Sequence, residues 1–454
     1  MHKLWMALLG WLALPALAVN VGNLDTEYGG ASALGRVRVT YDLGSPPFDL
    51  VESVRRLSDG RTMMVGSAYN GSGYSMAIAL RTPTGLADTS VGPAGSLSLT
   101  PPGGALNPNA MASAIAADGS HYLVGFNGDG LRVWRYGVNG GLLGGPFALG
   151  NSGFEYRADE ALIDAAGRLV VSGRVKPSGT NDAFLDGFVL RMLPGGTLDS
   201  GFGIRTLSFA GAARDDGYRL REIGDGGYVV CSRVGDFDGS LLGYGLARLG
   251  ADGSLDPGFN GGQLLTHFLQ VDGQSYGAAC GGLGVLRTST VTRIYVSGRA
   301  DRAGVLSRSF VRVHQADGSA LPNFGTAGQA LYDWNETVLG ISGDTAIEVG
   351  RDSADVGRPY LITSALFGGS EARTGIMRLT SVGSVDPSYG TSGMTIVGIT
   401  VPNIGGTQRA LRPAASFLSL EGLLIGAAAT IESGNIDVVL MRLHGDRVHA
   451  SGFE

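Results

Sequence analysis

One short pattern recurs along almost the whole chain, and it constrains the fold more than any other feature. It is clearest at residues 246–268, LARLGADGSLDPGFNGGQLLTHF. Ala247 and Leu249, then Leu264, Thr266 and Phe268, alternate as positions on half-buried strands do. Asp252-Gly253 between them is a hairpin-type turn, where glycine accepts positive φ at little cost. Leu255 and Phe259 are apolar plugs in an otherwise polar loop. Aligned on that loop, seven copies appear: GNLDTEYG at 22–29, GLADTSVG at 85–92, GGLLGGPF at 140–147, GTLDSGFG at 196–203, GSLDPGFN at 253–260, GSALPNFG at 318–325 and GSVDPSYG at 383–390. Their fourth positions are Asp25, Asp88, Leu143, Asp199, Asp256, Leu321 and Asp386, so by subtraction the intervals are 63, 55, 56, 57, 65 and 65 residues. A period of roughly 60 is longer than the about 40–50 residues of ordinary propeller blades and suits a blade with long loops.

The interior of each interval repeats as well. An apolar strand leads through an Asp-Gly or Gly-Gly turn to a second strand, as in VESVRRLSDGRTMMVGSA at 51–68 and EALIDAAGRLVVSGR at 160–174. A variable loop follows, then a third strand such as SMAIALR, YGLARL or DVVLMRL, the glycine-rich turn, the Leu-Asp loop and a fourth strand such as GIRTLSF. No segment has a helical period. Four short strands per unit predict an all-β, antiparallel repeat, and units stacked round an axis make a β-propeller.

The two ends are complementary. After the first residues the chain opens with a loop copy and a single strand, 37–43; it closes with a third strand and turn, 437–446, and no fourth strand. The N-terminal strand is therefore expected to complete the last blade and remove its open edge. The expectation is one propeller domain at 19–446 with seven four-stranded blades; the irregular loops at Leu143 and Leu321 leave six or eight open.

Composition bounds the function classes. Hydrophobic residues make up 44% of the 454, charged residues only 16%, and the 76 glycines far exceed ordinary usage of about 7%. Such a chain can bury a large core. The net charge of −6 and scattered basic residues argue against nucleic acid. Residues 1–18 read as a secretory signal peptide: Lys3, an apolar run to Leu14 and the small-x-small site Ala16-Leu17-Ala18. The run is too short for a membrane span of about 20 residues, and Pro15 interrupts it. An exported monomer follows, periplasmic, cell-surface or extracellular. Cys231 and Cys280 suit one disulfide in that setting; two buried small hydrophobes are the alternative.

Asp25, Asp88, Asp199, Asp256 and Asp386 read as Asx-turn acceptors rather than cation ligands, since a ring of blades separates them too widely to share an ion. Tyr28, Phe202, Phe259, Phe324 and Tyr389 recur at one offset, as an inter-blade packing role requires, rather than forming a stacking series for a ligand. Asp236-Phe237-Asp238-Gly239 lacks the remaining ligands of a calcium loop, and no His or Cys has zinc-site spacing. No nucleophile elbow, P-loop or dinucleotide fingerprint is present. No catalytic, cofactor or metal residue is assigned, although propeller sites can gather residues from separate blades. The variable loops at 176–187, 235–243 and 333–344 carry acids, amides and aromatics that suit a polar ligand such as a glycan or a peptide.

The runs ARLGADGSLDPGFNGG and MRLTSVGSVDPSYGTSG resemble the delta-60 repeat of exported bacterial proteins, and the resemblance covers nearly all of the chain after residue 18. It implies a β-propeller-like, secreted or cell-surface protein and carries no established catalytic residues. The tail at 447–454 ends in HASGFE, which resembles a short Gly-Phe-Glu ending of some exported proteins; a frayed end is the alternative. The expected function is a binding or surface-interaction module. A propeller hydrolase or lyase acting on extracellular polymer, and a structural envelope component, are the alternatives. A convergent trio of acids, His or Arg at the channel mouth would favour the enzyme; a wide, aromatic-rich face would favour binding.

Overall fold

The computed structural model describes residues 21–41, 49–69, 74–102, 112–126, 130–182, 185–209, 214–235, 242–289, 291–334, 340–351, 356–366, 371–398, 400, 408–419, 422–431, 436–445 and 449–450. The proposed signal peptide, the acidic loop at 236–239 and the centres of the three variable loops lie outside them.

The strands form antiparallel groups in which neighbours in sequence pair with each other. Group A is Asp49–Arg56, Thr62–Tyr69, Tyr74–Arg81 and Ser96–Leu99, and group B is Ala112–Ile115, His121–Phe126, Leu131–Tyr136 and Leu142–Leu149. Group C is Phe154–Ile163, Leu169–Pro177, Asp186–Met192 and Ile204–Leu207; group D is Arg214–Glu222, Tyr228–Gly235, Leu242–Leu249 and Leu265–His267. A short hairpin, Leu269–Val271 with Gln274–Ala278, leads into group E: Gly282–Arg287, Thr292–Asp301, Arg308–Gln315 and Gln329–Tyr332. Group F is Ala346–Arg351, Gly357–Leu366, Ala372–Arg378 and Met394–Val397. Group G is Gln408–Ser419, Gly422–Ile431 and Ile436–His444, with Arg36–Val39 from the other end of the chain paired against Val438–Met441. Among the described residues one parallel bridge, Ala372 to Ala410, links F to G.

The second strands are buried along nearly their whole length, which explains their continuous apolar runs, such as Thr62–Tyr69 and Leu169–Pro177. Each hydrophobic core lies between two groups, not within one. Trp134 of B packs with Leu80 of A, and Phe188 of C with Val133 of B. The same sharing runs on through F and G, where Ile376 meets Ile425, and again between G and A, where Leu440 and Leu424 meet Met64 and Val51. The first strand of every group packs against the first strand of the next, including A against G. These arrangements make the fold an all-β propeller, with the first strands innermost.

The structure corrects the reading of GGLLGGPF. Residues 142–149 are a strand paired with Leu131–Tyr136, not a loop copy, and Leu143 is 60% exposed. With no aspartate to close an Asx turn, the chain goes directly from the Gly140 turn into the fourth strand, and the Phe147 ring approaches the turn glycine Gly196 of the next group. Two residues of the tail, His449 and Ala450, pair with Arg351 and Gly350 of the innermost strand of F.

Candidate functional site

The recurring loops build a rim. Each loop carboxylate accepts a hydrogen bond from the backbone N–H two residues on: Glu27 to Asp25, Ser90 to Asp88, Gly201 to Asp199, Gly258 to Asp256 and Ser388 to Asp386. Its other oxygen meets an arginine eight residues earlier on the third strand. Arg191–Asp199 and Arg248–Asp256 pair at 2.8 Å and Arg378–Asp386 at 3.0 Å; Arg442–Asp25 makes the same pair across the two ends of the chain at 2.7 Å. Three of these guanidiniums also cover the loop aromatic: Arg442 lies 4.3 Å from the Tyr28 ring centre, Arg191 4.6 Å from Phe202 and Arg378 5.1 Å from Tyr389. Asp88 is held instead by Arg61, at 2.9 Å. Where the loop acid is replaced by Leu321, the arginine position is Val313.

Tyr28, Phe202, Phe259, Phe324 and Tyr389 are all buried, each at 1% exposure or less. The turn glycine of the following group closes over each ring. A Cβ on Gly253 would come 3.1 Å from the Phe202 ring, one on Gly383 3.0 Å from Phe324 and one on Gly22 2.7 Å from Tyr389, so these turns need glycine both for positive φ and for space. The residue after the ring then donates its N–H across the junction: Gly29 to Thr84 O, Asn260 to Asp317 O, Gly325 to Val382 O and Gly390 to Val21 O, at 2.7–2.9 Å. The five loop aspartates are therefore held one by one in separate loops, and among the described residues no group of three His, Cys, Asp or Glu is placed to hold a metal ion. Cys231, on the second strand of D, and Cys280, just before the first strand of E, are placed as a disulfide with Cα atoms 6.3 Å apart.

The sequence reading assigned no residue at the axis. A cavity of about 330 Å³ is lined by first-strand segments of the groups from A to G. The chain reaches it through β-bulges: register shifts isolate Glu52 between Val51 and Ser53, Asp159 between Ala158 and Glu160, and Ala414 between Pro413 and Ala415. A bulge leaves one residue unpaired and re-aims its side chain. Room for it comes from a glycine on the second strand. A Cβ on Gly66 would meet the Leu50 carbonyl oxygen at 1.9 Å, and one on Gly173 the Arg157 oxygen at 2.1 Å.

Charges meet in this cavity. Arg221 Nη1 donates to Glu160 Oε1 at 2.5 Å, and the Leu220 N–H donates to Glu160 Oε2 at 2.8 Å. Ser416 Oγ donates to Glu348 Oε1 at 2.7 Å. Burial raises the Glu348 carboxyl pKa, against the opposing pull of Arg221 and Ser416. Asp159 is held by Arg174 at 2.7 Å, and Arg219 Nε donates to the Gly281 carbonyl at 3.1 Å. Ser53 and Ser113 hydroxyls meet at 2.6 Å beside Glu52. Glu52 is half-buried at the cavity wall, and desolvation there pushes its carboxyl up to about 7. The described lining contains no aromatic side chain.

Residues 234–259, from the second strand of D to Phe259, match the model of a family described as a domain of unknown function (DUF5122), beta-propeller. No curated protein matches the chain. Among solved structures it is similar to the β-propeller domain of the Trilobed protease from Pyrococcus furiosus (9% identity, 87% of this chain and 93% of that one, TM-score 0.44). It is also similar to the polysaccharide lyase Uly1 (10%, 88% and 91%, TM-score 0.48) and to Drosophila Semaphorin 1a, extracellular domains 1–2 (11%, 90% and 88%, TM-score 0.46).

Proposed function

We propose that this protein is an exported binding module: a seven-bladed β-propeller of the delta-60 type that holds a polar ligand at its axis. Groups A to G are its blades, and Arg36–Val39 closes the ring as the outer strand of the last one, which accounts for the core shared by G and A. The axial cavity, built from bulged innermost strands, carries the functional reading. Its 330 Å³ is at the lower end of the about 300–1,000 Å³ of small-molecule sites, so it suits a small ligand or one side chain of a partner rather than a length of polymer. Filling it tests the reading. Ala414→Trp should keep the melting temperature while abolishing thermal-shift responses to a library of small polar compounds; unchanged responses would place the ligand elsewhere.

Export is part of the proposal. Intact mass of protein from the medium or periplasm should show loss of residues 1–18 and, after alkylation without reduction, a Cys231–Cys280 bridge. Two alkylated thiols, or a retained leader, would refute it.

One observation favours a second, enzymatic reading. A carboxyl titrating at about 7 is suited to general acid catalysis, and Glu52 has acids and arginines across the cavity from it. Turnover of a small substrate, lost in Glu52→Gln with binding kept, would establish that reading in place of the first.

A further inference from the structure

Resting on the axial pocket as the ligand site, we propose that the cavity seats one organic cation, an ammonium or guanidinium group, against the carboxylate of Glu52. The lining carries four acids, Glu52, Asp159, Glu160 and Glu348, and two bases, Arg219 and Arg221, a difference of 4 − 2 = 2 negative charges. The two arginines already have protein acceptors. Arg221 bonds Glu160 and the Leu220 carbonyl; Arg219 bonds the carbonyls of Gly281 and Tyr218. Asp159 has Arg174, Glu160 has Arg221, and Glu348 has Ser416 with the charge of Arg221 nearby. Glu52 is different. Among the described residues no hydrogen-bond donor and no cation pairs with it, although it is half-buried and lines the cavity.

A half-buried carboxylate that faces a confined cavity without a partner of its own is a ready acceptor there, and a bound cation supplies the opposite charge and the N–H donors. The bulge between Val51, which pairs with Gly66, and Ser53, which pairs with Val65, puts the Glu52 side chain there by register, so its position is set by the blade and not by a surface loop. An anion would instead meet a lining with more acids than bases. A neutral ring would find no aromatic face to stack on.

The test uses the full mature chain and four probes of similar size: butylammonium, agmatine, butyrate and butanol, followed by titration calorimetry and ligand-observed NMR. The two cations should bind at least tenfold more tightly than butyrate or butanol. Glu52→Gln, which keeps the side-chain shape, should weaken the cations at least tenfold without lowering the melting temperature. Ala414→Trp, with Ser113→Phe as a second filling variant should the first not fold, should abolish cation binding. Equal binding of butyrate or butanol that Glu52→Gln leaves unchanged, but that the filling variants remove, would overturn the cation and keep the pocket. If no probe binds, or binding survives the filling variants, the pocket reading falls too.

Discussion

Carboxylates on the rim and at the axis of this molecule behave in opposite ways. On the rim, Asp199 and Asp386 are partly buried, which alone would raise their pKa. Hydrogen bonds and the charges of Arg191 on one, and of Arg378 and Arg358 on the other, outweigh burial and hold both carboxyls below their ordinary range. At the axis, burial wins: Glu52 rises to about 7 with no opposing partner among the described residues, and Glu348 rises despite Arg221 and Ser416. One residue class therefore serves two purposes. A carboxylate given its own arginine fixes a loop, while Glu52, with no cation among the described residues, faces the cavity. The chain also contains its own control, because Leu321 and Val313 have lost acid and arginine together while the backbone loop persists, with Leu321 N–H on Val313 O at 2.9 Å and Phe324 N–H on Leu321 O at 3.1 Å.

Removing residues 19–44 should have the largest effect. It deletes the strand paired with Val438–Met441 and also the Asp25–Arg442 clamp and the Tyr28 plug. The exposed edge should drive aggregation. A deletion variant that remains monomeric with the parental melting temperature would show that the rim does not join the two ends. Phe259→Ala comes next, at about 3–5 kcal/mol for a buried aromatic. The expected readouts are a lower denaturant midpoint and reduced yield, with ligand binding by the surviving fold unaltered. A variant that melts normally but loses binding would reverse the roles of rim and axis.

Arg191→Val sharpens the comparison at a smaller scale. Arg191 supplies the cation for Asp199, and breaking a buried pair from one side costs about 3 kcal/mol. Arg191→Val with Asp199→Leu reproduces the natural Val313 and Leu321 combination. It should recover about 1–2 kcal/mol of that loss, the coupling expected between contacting residues. Strictly additive melting shifts would mean that the rim pair is not an energetic unit.

The rim was legible in the sequence because each clamp is local. Turn glycine, Asx acid and aromatic fall within eight residues, so their spacing repeats and can be aligned. The arginine was overlooked although it also keeps a fixed offset, eight residues before the acid at 191, 248 and 378. The axis was not legible, since its residues come one or two at a time from strands between Glu52 and Ser416. Two signals were nevertheless present. Acids interrupt otherwise apolar first strands, in VESV, ADEAL and AIEV, and glycines interrupt the buried second strands at Gly66, Gly173 and Gly298, where a nearby backbone carbonyl leaves no room for a Cβ. GGLLGGPF misled because glycine-rich spacing survives there without the aspartate that makes the loop.

The smallest effect should also separate rim from axis most cleanly, because the two respond to pH with opposite sign. Asp199, with its carboxyl lowered by folding, contributes stability above its ordinary pKa, and this is lost as pH falls into the acid range. Glu52 is raised from 4.5 to about 7, so between these values the folded chain keeps a proton that the unfolded chain releases. Stability from this group is therefore intact below 4.5, falls as pH rises and is fully lost above about 7. Glu52→Gln removes that slope. Above pH 8 it should stabilise the protein by about 1–2 kcal/mol, less than the full linkage value because the side chain is only half-buried. Near pH 4.5 it should be neutral. Melting curves of parent and variant across this range would converge at low pH and separate at high pH. A constant separation would mean that Glu52 does not titrate with folding and that the axis, like the rim, already balances its own charges.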